Sequence, residues 1–402
     1  MAIVRPFKAI RPARDKANLV ASRSYLTYSD ETIKEKLDHN PYTFLHIIKP
    51  DYNTPKKTTG VAKFKLVKEK FQQFISDGIL KKDAVESFYI YQKKNQLNTF
   101  TGIIGASSVE DYLNNKIKKH EQTLTKREKM FRNYLDITGF NAEPVLLAHE
   151  PNKEIKSILD KYTSTRSEYE FTTTNKSLHK LWIVDNWSDI KMITNAFEKI
   201  ENIYIADGHH RCASSALFYK DQKSELSSYF MSYLVDENQL NILNFNRLVK
   251  HLNGLRASEV VDKIKKKYTL TYKKESPYSP TLKYEISMYL EGKWYSLIAN
   301  KQKYSSTAES LDPSILSKNI LKPLLNILDE RTDQNISFLD GTIPLSVIKA
   351  KVDSGEYAVV FILKPISITA IKKVADNNEI MPPKSTYIQP KLRSGLTIYP
   401  IE

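Results

Sequence analysis

The chain has 402 residues, 41% of them hydrophobic, which is enough to bury a substantial core in two or three domains or in one large domain with two lobes. Frequent aromatic residues and sparse glycine and proline exclude a largely disordered protein. The formal charge of +15 raises the question of nucleic-acid binding. The lysines are spread along the chain without interleaved stacking aromatics, which argues against nucleic acid and favours attraction of small polyanions.

Membrane and secretory signals are not found in the sequence. No apolar run approaches the roughly 18 residues that a membrane span needs, and no signal-peptide core lies between Met1 and Leu19. The single cysteine, Cys212, excludes an intramolecular disulfide and fits a reducing compartment. We therefore expect a cytoplasmic protein with no membrane partner, and the oligomeric state stays open.

The first 150 residues alternate between helix and strand patterns. Prolines in the first 20 residues predict an extended segment, and an apolar run at 42–48 predicts a strand. Further along, periodicity and turn residues predict a helix at 62–75, a hairpin of 87–92 and 100–104, a helix capped by Ser108, a helix at 125–135 and a strand at 144–148.

The pattern continues with a strand at 182–184 and a helix whose apolar face carries Trp187, Ile190, Ile193, Phe197 and Ile200. A buried strand at 203–206 and a helix from Cys212 through Tyr219 follow. Beyond about Asp236 the pattern favours β structure, with a hairpin of 284–290 and 293–298. The sequence thus predicts an α/β lobe at 1–235 and a mixed β-rich lobe at 236–402.

The turn Asp207–Arg211 joins the buried strand to the following helix and predicts an anion site. The first amides of a helix lack intrahelical acceptors and carry partial positive charge, and Gly208 lets a ligand approach the backbone closely. Arg211 adds a guanidinium that can clamp phosphate or carboxylate oxygens. His209 and His210 point in different directions, so that one can donate to the anion or pass a proton while the other contacts Asp207.

Asp207 itself allows several interpretations. It can orient a histidine, hold a magnesium ion that bridges phosphates, or only cap the helix. A metal site built from His209 and His210 is disfavoured, because adjacent residues rarely chelate one ion.

Two further segments carry candidate groups. Glu121 is a candidate general base with His120 as its partner, although a solvated helix end is an equally good interpretation. Lys384, Ser385 and Thr386 follow two prolines in a rigid loop and are candidate phosphate donors, and Arg393 is expected on the same rim with Lys391.

The sequence 203–211 resembles the hallmark of a large bacterial and archaeal family of uncharacterised proteins of about this length. The resemblance runs from end to end of the chain and is carried by these further segments: 5–7, 119–121 with Thr123 and Arg127, 144–147, Leu181 with Trp182, 381–387 and 390–396.

The Asp207–Arg211 turn also resembles that of free serine kinases in the ParB/sulfiredoxin-like superfamily. This resemblance implies an α/β (α+β) fold with a ParB/sulfiredoxin-like nucleotide-binding core and a larger mixed-sheet second lobe. It also implies that the turn binds nucleotide phosphates, that acidic residues activate an acceptor hydroxyl or hold magnesium, and that the substrate belongs to serine metabolism. One departure is Phe245-Asn246-Arg247, where relatives carry Thr-His-Arg.

The function expected from these features is phosphoryl transfer between ATP or ADP and serine, with Mg²⁺ as cofactor. A second interpretation is hydrolysis of phosphoserine or of a nucleotide, with a histidine as general acid or nucleophile. A third is a nucleotide-dependent binding protein or a DNA-associated ParB-like protein, against which the missing helix-turn-helix pattern argues.

Overall fold

The computed structural model describes residues 2–274, 277–300 and 303–401. The chain divides into two compact units. The first unit comprises Met1–Lys119, Thr123–Leu240 and Pro390–Glu402, and the second comprises His120–Gln122 and Asn241–Gln389. The predicted division near Asp236 therefore differs from the observed one mainly at the C-terminus, because the last segment of the chain returns to the first unit.

Strands occur in both units. In chain order they are β1 (Val4–Arg5), β2 (Ile10–Pro12), β3 (Leu80–Lys82), β4 (Phe88–Lys94), β5 (Thr99–Ser108), β6 (Ile117–Lys118), β7 (Phe140–Asn141), β8 (Val145–His149), β9 (Tyr169–Thr172), β10 (Leu178–Val184), β11 (Ile203–Asp207), β12 (Tyr229–Asp236), β13 (Asn241–Leu243), β14 (Phe245–Val249), β15 (Tyr268–Lys273), β16 (Glu285–Leu290), β17 (Lys293–Ala299), β18 (Ile336–Asp340), β19 (Val359–Leu363), β20 (Tyr387–Gln389) and β21 (Tyr399–Pro400).

The α-helices alternate with these strands. They are α1 (Ala17–Val20), α2 (Asp30–His39), α3 (Leu45–Ile48), α4 (Gly60–Ser76), α5 (Val109–Leu113), α6 (Thr125–Thr138), α7 (Lys153–Thr163), α8 (Trp187–Glu198), α9 (His209–Asp221), α10 (Ala257–Lys265), α11 (Asp312–Leu316), α12 (Lys322–Leu325), α13 (Leu345–Asp353) and α14 (Ile368–Asp376). None of the described helices combines the length and apolarity that a bilayer crossing requires.

The first unit is built on a mixed sheet. Its strand order is β6-β11-β8-β12-β5-β4-β10-β9, and β1 pairs with β5. The pairs β11–β6 and β12–β8 are parallel and the others antiparallel. The apolar run of β11 is buried beside β8, which explains why this short strand lacks polar alternation. The predicted mixed α/β class is therefore confirmed.

The second unit holds a smaller share of the chain, and its main sheet has the order β15-β17-β16-β19-β14-β18. All its strand pairs are antiparallel. The expectation of a larger second lobe with a mixed sheet is therefore wrong, because the parallel pairs lie in the first unit. The predicted β16–β17 hairpin is confirmed, and its turn residues Glu291 and Gly292 both have positive φ angles.

Two local predictions are wrong for identifiable reasons. The apolar run 42–48 forms the short helix α3 after a turn instead of a strand, because a short buried run without a period is compatible with either element. Trp187 is the first residue of α8 and 72% exposed, whereas Ile193 and Phe197 on the same helix are buried as expected. A residue in the first turn of a helix can be exposed even when its position in the helical period matches the buried face of the later turns.

Candidate functional site

The Asp207–Arg211 turn begins where β11 leaves the mixed sheet. The pairing of β11 with β8 shifts register between Ile205 and Asp207, so that a bulge precedes the turn. A bulge re-aims the side chain that follows it, and here that side chain is the Asp207 carboxylate. The predicted helix is present, but it starts directly after Gly208 and runs to Asp221, three residues earlier and two residues later than the predicted range of Cys212 through Tyr219. The turn therefore places a carboxylate and a helix N-terminus side by side.

Gly208 is the N-cap of α9 and has a left-handed conformation, with φ at 102°. The interpretation of Asp207 as the N-cap is thus wrong. A Cβ at Gly208 would lie 3.0 Å from the guanidinium carbon of Arg211. Glycine is needed here for two reasons, because the backbone angle disfavours side chains and the arginine passes close to the backbone.

We expect Gly208→Ala to lower the free energy of unfolding by about 1–3 kcal/mol, since the left-handed backbone angle strains alanine. Crowding of Arg211 adds to this cost. Gly78→Ala is the matched control, because Gly78 also has a positive φ angle but opens onto free space. Urea unfolding of both variants should show the larger loss for Gly208→Ala. Equal losses would contradict the close approach of Arg211.

The Asp207 carboxylate joins two cations. One oxygen accepts a hydrogen bond from the Lys391 ammonium at 2.7 Å, and the other accepts one from the Arg211 guanidinium at 2.9 Å. Burial alone would raise the pKa of the Asp207 carboxyl, but the charges of Lys391 and Arg211 outweigh burial and hold that pKa below its ordinary value. Asp207 is therefore ionised at neutral pH and is a weak proton acceptor.

The arrangement around Asp207 does not fit a protein-held magnesium ion. Both carboxylate oxygens are already used by cations. Across residues 2–274, 277–300 and 303–401, no group of three or more histidine, cysteine, aspartate or glutamate side chains is placed to hold a metal. A magnesium ion bound by Asp207 would have to displace Lys391 or Arg211 from the carboxylate, and Asp207 as a magnesium ligand stays a prediction.

Arg211 is held in place from two sides. Besides Asp207, its guanidinium donates to the carbonyl of Pro144, which precedes β8. Its side chain is 24% exposed. A guanidinium has five N–H donors, so these two contacts leave capacity for an anion on the exposed side.

The two histidines of the turn differ in burial. His209 is 5% exposed and lies near the Asp207 carboxylate, with which it interacts electrostatically. His210 is half-buried, and its backbone carbonyl accepts from the Ser214 hydroxyl. His210 is therefore the more accessible of the two candidate catalytic histidines.

Cys212 lies one residue after Arg211 and is completely buried. Burial raises the pKa of its thiol well above the ordinary range. The thiol is therefore neutral and inaccessible to solvent. Cys212 is a structural residue on the face of α9 that packs into the core.

His120 and Glu121 belong to the second unit and lie between β6 and α6. The sequence placed them near the junction of two helices, and in the structure the short strand β6 separates those helices, α5 and α6. His120 is 1% exposed, burial lowers its pKa to about 4, and its carbonyl accepts from the Met381 amide. His120 is therefore neutral at physiological pH, and Glu121 is exposed. Their catalytic roles stay predictions.

The loop of Lys384, Ser385 and Thr386 also belongs to the second unit. Lys384 is exposed and lies over the ring of Phe245, with its ammonium 5.1 Å from the ring centroid. Ser385 is buried and donates its hydroxyl to the carbonyl of Pro382. The serine thus closes the turn after the two prolines, and phosphate binding by this loop stays a prediction.

Arg393 lies in the first unit, with the Asp207–Arg211 turn. Sequence reasoning placed Lys391 on the same rim but missed its contact with Asp207, because the two residues are 184 positions apart. The one sequence feature that could have linked Lys391 to Asp207 is that both residues lie in segments that carry the family resemblance, 390–396 and 203–211. Lys93 and Arg23, which lie near Arg393, carried no sequence signal at all.

These elements define a mixed α/β protein with a helix N-terminus, an arginine and a lysine at the end of one strand. The chain belongs to the family described as "Protein of unknown function (DUF1015)", whose family model matches residues 4–314. The expected membership in a family of uncharacterised proteins is thereby confirmed. The matched range includes the Asp207–Arg211 turn and ends before the closing motif at 381–396. No curated protein matches the chain.

Solved structures with partial similarity include free serine kinase. A mutant of that enzyme in complex with AMP has a TM-score of 0.41 and 15% identity, covering 74% of this chain and 91% of that chain. The same mutant in complex with ADP has a TM-score of 0.39 and 14% identity, covering 74% of this chain and 92% of that chain. A conserved hypothetical protein from Pyrococcus furiosus has a TM-score of 0.39 and 15% identity, with 74% and 94% coverage.

Proposed function

We propose that this protein is a phosphotransferase that moves a phosphoryl group between a nucleotide, ATP or ADP, and serine. The observation that carries this proposal is the convergence of Arg211 and Lys391 on Asp207 at the start of α9. Two cations facing one carboxylate leave an excess of positive charge, and the helix N-terminus adds to it. Such a site attracts phosphate oxygens.

Phosphoryl transfer suits these residues because its catalysis consists mostly of positioning and charge stabilisation. In the proposal, Arg211 and the first turn of α9 bind the phosphate, and Asp207 fixes the direction of Arg211 and Lys391. Asp207 is a positioning residue here, since its lowered pKa makes it a poor base. His210 is the proposed proton donor or acceptor at the phosphate, because it is the more accessible of the two histidines of the turn.

Serine as the acceptor comes from the resemblance of the turn to that of free serine kinases. It is the most specific part of the proposal and the easiest to test. Purified protein incubated with the magnesium salt of ATP or ADP and L-serine should produce O-phosphoserine, detected by phosphorus NMR. The protein with phosphoserine alone should release no inorganic phosphate.

Two results would contradict the proposal in different ways. Release of phosphate from phosphoserine without nucleotide would identify a hydrolase, in which water takes the place of the serine hydroxyl. Salt-sensitive DNA binding without any turnover would identify a DNA-associated protein instead.

A further inference from the structure

Next to the Asp207–Arg211 turn, the first unit brings four cations together. We call Arg23, Lys93, Lys391 and Arg393 the basic cluster. Its members come from three distant parts of the chain, and all four side chains are partly exposed. Solvent and small solutes can therefore reach them.

Backbone contacts fix this arrangement. Ser22 and Ser394 form an antiparallel bridge, with amide-to-carbonyl distances of 3.3 and 2.8 Å. Arg23 follows Ser22 and Arg393 precedes Ser394, so the bridge sets the two arginines opposite each other. The Lys93 ammonium, near the end of β4, donates to the carbonyl of Lys391 at 3.0 Å. The closing segment of the chain is thus held against both other parts.

The cluster is poorly neutralised by the protein. In the described part of the chain, Lys391 is paired with Asp207, but Arg23, Lys93 and Arg393 have no carboxylate partner. Arg23 lies over the ring of Tyr28 and has a buried Nε without a hydrogen-bond acceptor. Arg393 donates to the side-chain amide oxygen of Asn175 at 3.4 Å and interacts with the Tyr28 hydroxyl, and both of these partners are uncharged. Like charges set opposite each other on paired strands are destabilising.

The electrostatics of the neighbouring groups agree with this geometry. Burial and the charges of Arg393, Arg23 and Lys391 lower the pKa of Lys93 to about 8. Burial and the charges of Arg393 and Lys93 lower the pKa of His179 to about 3, and His179 is hydrogen-bonded to the Tyr91 hydroxyl. The imidazole is therefore neutral and adds no charge to the cluster, in which Asp207 is the carboxylate partner of Lys391 alone among the described residues.

We propose that the basic cluster binds an oxyanion group of a ligand, a carboxylate or a phosphate, separate from the phosphate at the Asp207–Arg211 turn. Lys391 is a member of the basic cluster and also donates a hydrogen bond to Asp207, so that it connects the two sites. This inference rests on the proposed function only for the identity of the ligand: in a phosphotransferase acting on serine, the second oxyanion is the carboxylate of the amino acid or a further phosphate of the nucleotide.

The test uses the reactivity of Lys93 in the native protein. An amine is acylated in its neutral form, and an anion bound to the cluster favours the ammonium form of Lys93. We therefore expect inorganic phosphate or acetate to slow acylation of Lys93 at pH 8, measured by mass spectrometry against sodium chloride of equal ionic strength. Lys94 is exposed and adjacent on β4, so it is the internal control and should react at an unchanged rate.

A variant strengthens this experiment. Arg393→Gln should lower the affinity of the cluster for the protective anion by at least about tenfold, because it removes one charge-assisted contact. Lys94→Gln should leave it unchanged. Protection by phosphate alone or by acetate alone would identify which oxyanion the cluster prefers, and either result supports the site.

Three results would overturn the inference: no protection of Lys93 by either anion, equal protection of Lys94, or full protection in Arg393→Gln. The outcome is independent of phosphoryl transfer. A protein that makes no phosphoserine but protects Lys93 would refute the proposed function alone, and the reverse result would refute the basic cluster alone.

Discussion

Glutamine in place of Glu330 is expected to lower the free energy of unfolding by about 3–5 kcal/mol, because it leaves a buried guanidinium without its counter-charge. Arg247 is 0% exposed and its Nε lies 3.5 Å from a Glu330 carboxylate oxygen, which is also buried. The Nη1 of Arg247 donates to the carbonyl of Phe245, and the guanidinium lies over the ring of Phe338. Burial lowers the pKa of Arg247 while Glu330 raises it, and burial has the larger effect.

Asp329→Asn is the matched control for this substitution. Asp329 is the adjacent residue and forms an exposed ion pair with Arg331, so its loss should change stability little. Urea unfolding followed by circular dichroism compares the two variants. Equal stabilities would show that Arg247 does not depend on Glu330.

The buried pair gives a structural reason for the arginine in Phe245-Asn246-Arg247, the segment that departs from the Thr-His-Arg expected from the resemblance. Arg247 lies inside the second unit on β14. A wholly buried arginine paired with a glutamate fits a structural role.

The second large effect concerns Arg211→Gln. We expect this change to weaken ADP or ATP binding by about a hundredfold, since it removes a permanent charge and a pair of charge-assisted donors at the phosphate. The fold should persist, because Asp207 keeps its contact with Lys391. Isothermal titration calorimetry gives the affinity, and thermal unfolding shows that the variant is folded.

Arg132→Gln controls for the loss of an arginine elsewhere in the same unit. Arg132 has a similar exposure, 21% against 24%, and it pairs with Asp136 and Asp221 on α6 and α9. Its replacement should leave nucleotide affinity unchanged. If both variants bind equally well, Arg211 is not a phosphate ligand and the proposed site is wrong.

Local features of the sequence predicted the local features of the site. The apolar run before Asp207, the glycine and the small residues after Arg211 sufficed to place β11, the turn and α9, because each depends on neighbouring residues. Likewise Ser108 caps α5, accepting a hydrogen bond from the Asp111 amide as expected.

Contacts between distant segments could not be predicted in the same way. Lys391 pairs with Asp207 only because the last segment of the chain returns to the first unit, and no local pattern encodes that return. The same holds for Lys93 and Arg23. For the same reason, the magnesium prediction was made for Asp207 without the two cations that contact its oxygens.

A crystal structure of the protein with bound ADP tests the central claim most directly. We expect phosphate oxygens within hydrogen-bonding distance of the Arg211 guanidinium and the first-turn amides of α9. Phosphates bound elsewhere in the chain, with Arg211 still engaged only by Asp207 and Pro144, would contradict it.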